Sequence, residues 1–129
     1  MIYDLTQACA ALRVAAECGV HITLVSPQGA AGFAGPLWFR EVIDQASAAV
    51  PNASCGSVLD CAGSAGDAMA AIRAGVPAIA FAGPSAVEAK IADMAVQAGC
   101  EIIRIDYSSA LDLADCNDPD AVCRSWLGD

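Results

Sequence analysis

The chain has 129 residues, of which 57% are hydrophobic, and its 15 acidic side chains outnumber 6 basic ones to give a net charge of −9. This length predicts a single domain over residues 1–129 with a sizeable apolar core. The negative charge repels phosphate backbones and anionic membrane surfaces, so we expect neither nucleic acid nor a membrane as a partner.

The apolar composition predicts buried surface rather than a membrane span. Charged residues, Pro or Gly interrupt every apolar stretch before it is long enough to cross a bilayer, and the first residues lack the pattern of a secretory signal. The excess apolar surface therefore predicts a homo-oligomer. The odd number of cysteines, 7, argues against a disulfide scaffold and for a reducing cytoplasm. Their spacing fits no zinc or redox motif, and we expect no metal site.

Three junctions along the chain repeat one pattern, in which an alanine-rich helix end is followed by Gly and then by an apolar run. The glycines are Gly19, Gly75 and Gly99. Glycine after a helix readily takes the left-handed turn, and a short apolar run behind it is typical of a strand in a parallel sheet. In chain order the pattern predicts a helix (5–18, with Asp4 and Gln7 as capping box), a strand (21–26), a glycine-rich loop (27–35), a helix (36–49) and a strand (54–60). It then predicts a helix (65–74), a strand (78–82), a helix that Gly83-Pro84-Ser85 begins and that ends at Gly99, a strand (101–106) and a tail with one short helix begun by Asp118-Pro119.

Alternating strands and helices predict an α/β fold. We expect an open, three-layer parallel sheet of about four strands with helices on both faces. Half of a (β/α) barrel that pairs with a second subunit is the alternative, since four strands do not close an eight-stranded barrel.

Ligands of parallel sheets bind beyond the carboxyl ends of the strands, which makes the loops after the strands candidate sites. The first of them, 26–35, is rich in glycine and leads into a helix whose free N–H groups attract anions. Together with the turn before the fourth helix, it gives the predicted ligand-binding residues Ser26, Gln28, Gly29, Gly32, Arg40, Gly83 and Ser85.

Each of these assignments has a structural alternative. The 26–35 loop covers the sheet edge or contacts a neighbouring subunit, Arg40 pairs with Asp44 at four-residue spacing, and Ser85 caps its helix with Glu88. The glycine spacing fits neither the dinucleotide fingerprint nor the P-loop, so the sequence predicts no cofactor.

Two carboxylates, Asp60 and Asp106, end the second and fourth strands and are the predicted catalytic residues. On adjacent strands they would share a proton or bind a divalent ion, whereas the structural alternative is that each fixes its own loop. Cys61 is a nucleophile only if a base lowers its pKa. Because His21 begins the first strand, at the opposite end of the sheet, we expect Cys61 to fill the core.

Three short motifs carry a resemblance to a known family: Gly56-Ser57-Val58-Leu59, the helix end Ala70-Ala71-Ile72-Arg73-Ala74-Gly75, and Phe81-Ala82-Gly83-Pro84. Residues 56–105 resemble part of the 2-keto-3-deoxy-6-phosphogluconate aldolase family, whose members are phosphate-binding (β/α) barrels. The resemblance implies small-residue loops that receive a carboxylate or a phosphate. The family's Schiff-base lysine has no counterpart, since the only lysine, Lys90, lies within the fourth helix.

The sequence therefore predicts a protein that binds a small anionic metabolite at the carboxyl edge of its sheet. A lyase or isomerase that uses carboxylates for acid and base chemistry is one alternative. A non-catalytic assembly subunit is the other.

Overall fold

The computed structural model describes residues 1–128, and the final residue of the predicted tail, Asp129, lies outside the described residues. Its elements, in chain order, are α1 (Leu5–Cys18), β1 (His21–Val25), α2 (Ala30–Phe33), α3 (Pro36–Ala49), β2 (Ser54–Asp60), α4 (Ala65–Arg73), β3 (Ala78–Ala80), α5 (Ser85–Ala98), β4 (Glu101–Ile102) and α6 (Pro119–Leu127).

The strands form one parallel sheet in the order β1-β2-β3-β4. Val25 is level with Val58, and Asp60 is level with Ala80, so the carboxyl ends of the strands meet at one edge. The predicted α/β fold with an open parallel sheet of about four strands is confirmed, and this sheet does not close into a barrel.

Local signals in the sequence account for the helix ends. The Asp4 carboxylate accepts a hydrogen bond from Gln7 N at 2.8 Å and begins α1, while the Asp118 carboxylate accepts one from Ala121 N at 3.1 Å and begins α6. After α1, Gly19 adopts the left-handed conformation with φ 67°, as the junction pattern predicts.

The buried apolar residues divide into two clusters on the two faces of the sheet. The larger cluster contains residues of all six helices packed on inward-facing strand residues such as Leu24, Leu59 and Ile79. The smaller cluster consists of Val25, Val58, Ala78 and Ala80, and the partly buried residues that pack on it are Met1, Ile103, Ile105, Tyr107 and Ala110. Sequential strand order accounts for this one-sided helix layer, because successive right-handed crossovers place their helices on the same face. Among residues 1–128 the helices therefore pack on one face of the sheet and not on both faces as expected.

The chain after β4 departs from the predicted strand over 101–106. Only Glu101 and Ile102 form strand, and Ile103 N adds one more bond to the carbonyl of Ile79 at 2.8 Å. The chain then crosses the second face, where Ile103, Ile105 and Tyr107 replace a second helix layer. A short helix, α2, also forms within the loop that the glycines of 27–35 predict.

None of the helices within residues 1–128 combines the length and the apolar character needed to cross a membrane. The last of them, α6, packs against α1 and is joined to it by two exposed ion pairs. Arg13 lies 2.9 Å from Asp120, and Arg124 lies 3.0 Å from Glu17. These pairs orient α6 and contribute little to stability, since solvent screens them.

Candidate functional site

An open cavity of about 500 Å³ lies at the carboxyl ends of β2, β3 and β4. Its apolar wall includes Phe81 and the residues that follow β4. Its polar side chains come from four parts of the chain and are Gln28, Asp60, Glu88, Arg104 and Tyr107. The cavity therefore lies where parallel sheets bind their ligands, and it combines an apolar wall with a few polar groups.

Asp60 is the most constrained polar residue of this cavity. It is 6% exposed, and its Oδ1 accepts hydrogen bonds from Ala62 N at 2.7 Å and from Gly29 N at 3.1 Å. Its own N–H donates to the hydroxyl of Ser26 at 2.9 Å. Buried carboxylates need such donors, because an unpaired buried charge is costly. Asp60 thus holds the loops after β1 and β2 together while it lines the cavity.

The hydroxyl of Tyr107 completes the surroundings of Asp60. It lies 2.8 Å from Asp60 Oδ2 and 3.0 Å from the carbonyl oxygen of Ser26, and its single proton can be donated to only one of them at a time. Burial raises the pKa of Tyr107, and the neighbouring Asp60 carboxylate raises it further. The hydroxyl therefore stays protonated and anchors the 103–110 segment to the sheet edge.

The predicted loop residues have different positions in the structure. Gln28 lines the cavity, whereas the Ser26 hydroxyl is buried and donates to the carbonyl of Pro27 at 3.0 Å. Gly29 has φ 72° and gives its N–H to Asp60. A β-carbon at Gly32 would lie 3.0 Å from a carboxylate oxygen of Asp67 on α4, so this glycine permits close packing.

Arg40 lies away from this cavity. Its Nη1 donates to the carbonyl of Ala74 at 2.6 Å, and its Nε is 3.7 Å from the Asp44 carboxylate, so the alternative of a four-residue ion pair is confirmed. A guanidinium held at the α4–β3 connection does not reach back to the glycine-rich loop.

The turn before α5 differs from the predicted capping box. Pro84 occupies the N-cap position and Ser85 is the first residue of the helix, so the prediction that Ser85 caps it is wrong. The Glu88 carboxylate instead accepts a hydrogen bond from Gly83 N at 3.0 Å. Proline at the cap leaves no side-chain acceptor there, and Glu88 closes the turn from within the helix.

Asp106 and Asp60 do not form a pair of carboxylates. Strand β3 separates β2 from β4, and Asp106 is exposed and lines a different cavity. Hydrogen bonds from the hydroxyls of Ser108 and Ser109 and from the Ser108 N–H lower the pKa of Asp106. The contact with Ser108 Oγ measures 2.6 Å. Within residues 1–128 no three His, Cys, Asp or Glu side chains are grouped to hold a metal ion.

Cys61 is buried beside Asp60, and its thiol is expected to resist alkylation. Burial, followed by the negative charge of Asp60, raises the pKa of Cys61 to about 12. At pH 8 that value leaves roughly one thiol in ten thousand ionised, and the thiolate is the reactive form. We expect iodoacetamide at pH 8 to modify the exposed Cys18 in the native protein and to modify Cys61 only after unfolding in urea. Peptide mass spectrometry checks this expectation, and equal native labelling of both residues would contradict it.

Sequence reasoning did not single out Tyr107 or Arg104 as site residues. Both follow β4, in or next to a loop that the sequence does place at the ligand edge. Their positions at the cavity depend on the chain leaving the sheet soon after Ile102, before the end of the predicted strand. No local sequence signal predicts this departure.

Comparison with known proteins adds no family to this description. No protein-family model matches the chain, and searches of curated proteins and of solved structures give no significant match.

Proposed function

We propose that this protein binds a small anionic metabolite in the cavity at the carboxyl edge of its sheet. The observation that carries the proposal is the free guanidinium of Arg104 at this cavity. Among residues 1–128, three of the five arginines lie within 4 Å of a carboxylate, namely Arg13, Arg40 and Arg124, and Arg104 does not. In a chain of net charge −9, an unpaired cation beside a cavity is a fitting partner for an anion.

Neither carboxylate of the cavity forms an ion pair with that guanidinium. Asp60 accepts hydrogen bonds from two backbone N–H groups and lies beside the Tyr107 hydroxyl, while Glu88 accepts one from Gly83 N. Gln28 adds an exposed amide that can donate to an oxyanion. A ligand with one carboxylate or phosphate and a short apolar part, such as a keto acid or a phosphorylated sugar, matches these groups and the volume of about 500 Å³.

A thermal-shift screen against keto acids, phosphorylated sugars, nucleotides and divalent metals tests this proposal. A ligand at 100 times its Kd adds about 2.7 kcal/mol, which raises the Tm of a domain of this size by several degrees. We expect Arg104→Gln to abolish the shift produced by an anionic ligand. Arg73→Gln, which changes an exposed arginine outside the cavity, is the matched control and should retain it. An unchanged shift in Arg104→Gln would refute the assignment, and no shift with any compound would favour the assembly role.

The contact between Asp60 and Tyr107 favours a lyase or isomerase as the second candidate. A carboxylate at the cavity wall can accept a proton from a bound substrate, and the Tyr107 hydroxyl can then turn its own proton toward the Ser26 carbonyl. Once the screen has identified a ligand, Asp60→Asn should abolish turnover of that compound and preserve the thermal shift that it produces. Turnover that survives in this variant would leave binding as the function.

A further inference from the structure

A second open cavity, of about 560 Å³, lies along the edge strand β1, next to the smaller apolar cluster. One wall is β1, and the opposite wall is the segment 103–111, which crosses the second face of the sheet and is called the crossing segment below. The end of α6 forms the lip. Several side chains around it are apolar and only partly buried, and they are Met1, Ile103, Ile105, Leu111 and Leu127. Apolar groups that remain partly hydrated around one concavity gain free energy when an apolar ligand displaces the water.

Trp126 gives this cavity an aromatic edge. It is 54% exposed, although it lies on α6 only one turn beyond the buried Cys123, and it lines the cavity. A large indole ring left exposed beside an apolar concavity is a typical binding group, because it contributes contact area with few rotatable bonds.

The two walls are held in place without any ligand. Ile2 N donates to the carbonyl of Val25 at 2.9 Å, and Leu113 N donates to the carbonyl of Met1 at 3.3 Å. Tyr107 ties the crossing segment to the carbonyl of Ser26 at 3.0 Å. A cavity whose walls are linked in this way is largely formed in advance, which lowers the entropy cost of binding.

The lining is mainly apolar, and its polar residues are His21, Thr23, Arg104, Asp106 and Ser109. His21 begins β1, where its Nδ1 is 2.7 Å from the hydroxyl of Ser54. Thr23 is the next outward residue of β1 on the same face, and the neighbouring Gly56 adds no side chain there. Arg104 and Asp106, which carry opposite charges, line the cavity from the crossing segment.

We propose that this second cavity is a binding site for an uncharged, mainly apolar small molecule. Its volume is that of a site for one small ligand, within the range of about 300–1,000 Å³. β1 and the crossing segment bound it on opposite sides and the end of α6 forms its lip, which favours a compact molecule over a helix. This cavity adjoins the proposed anion site and is lined in part by other residues. The two cavities share Ile103, Arg104 and Ile105, whereas Thr23 and Trp126 line only the second of the two.

Titration with N-phenyl-1-naphthylamine, a neutral apolar fluorophore, tests the proposal. We expect saturable binding with one probe per chain and quenching of tryptophan fluorescence. Thr23 is an exposed strand residue, and strand positions suit aromatic residues. Thr23→Phe therefore places an aromatic ring inside the cavity, and it should weaken probe binding at least tenfold. Trp126→Ala removes the lip and should weaken binding several-fold.

Phe33→Ala is the matched control, because Phe33 is also an exposed aromatic residue and lies outside this cavity. It should leave the probe affinity unchanged. Circular dichroism establishes that each variant is folded, and if Thr23→Phe is not, Trp126→Ala decides the result. Absence of saturable binding, or equal affinity in the folded cavity variants and the control, would overturn the proposal. A dimer that Trp126→Ala dissociates would also overturn it, since a second copy of the chain would then cover the cavity.

Discussion

Replacing Asp60 by alanine is expected to lower the free energy of unfolding by about 3–5 kcal/mol. The change removes the acceptor for Ala62 N and Gly29 N and leaves the Tyr107 hydroxyl without its carboxylate partner. Each buried donor that loses its partner costs about 1–3 kcal/mol. Ala62 adopts a positive φ of 50°, a strained conformation for alanine, and its bond to Asp60 helps to hold it there.

Asp60→Asn should be much less destabilising, by about 1 kcal/mol, because the amide oxygen still accepts the two backbone bonds. The amide nitrogen then faces Tyr107, whose hydroxyl accepts from it and donates to the carbonyl of Ser26. Urea denaturation measures both variants, with Asp106→Ala as the control for loss of an exposed carboxylate after a strand. Equal losses in the alanine and asparagine variants would show that the hydrogen bonds of Asp60 contribute little.

The sequence predicts the elements whose determinants are local. The bounds of α1, α3 and β2 agree with the predicted ones, because Asp4 and Pro36 define helix starts and Pro51-Asn52 precedes β2. Alternation of helices and apolar runs then suffices to predict a parallel sheet. The sequence also predicts which edge of the sheet carries Asp60, because Asp60 is the last residue of its strand and ligands bind beyond that end of parallel strands.

Contacts between distant parts of the chain explain what the sequence does not predict. The bond from Tyr107 to Asp60 joins residues 47 positions apart, and the bond to Ser26 joins residues 81 positions apart. Neither contact leaves a periodic pattern in the sequence. The same holds for Arg40, whose bond to the carbonyl of Ala74 depends on how α3 and α4 pack. Patterns of period 2 or 3.6 identify the elements, while these polar contacts depend on tertiary placement.

The apolar residues of α3 show the limit of helical periodicity within one element. From the sequence, helical spacing predicts one apolar face for this helix, formed by Leu37, Phe39, Val42, Ile43 and Ala46. Phe39, Val42 and Ala46 are buried and Ile43 is partly buried, but Leu37 is 68% exposed. Residues two apart on a helix are about 200° apart around its axis, so Leu37 and Phe39 do not share a face. The first turn of α3 lies at the edge of the fold, and nothing there covers Leu37 among the described residues.

Phe39→Ala is accordingly expected to lower the free energy of unfolding by about 3–5 kcal/mol, and Leu37→Ala by less than about 0.5 kcal/mol. Phe39 is 1% exposed and its ring packs within the larger apolar cluster, so its truncation leaves a cavity as well as losing buried area. The two substitutions lie two residues apart on the same helix and change helix propensity similarly, which isolates burial as the variable. Urea denaturation of both variants measures the difference. A loss of 2 kcal/mol or more in Leu37→Ala would mean that Leu37 is covered in solution, as in the predicted homo-oligomer, and its dependence on protein concentration would identify that contact.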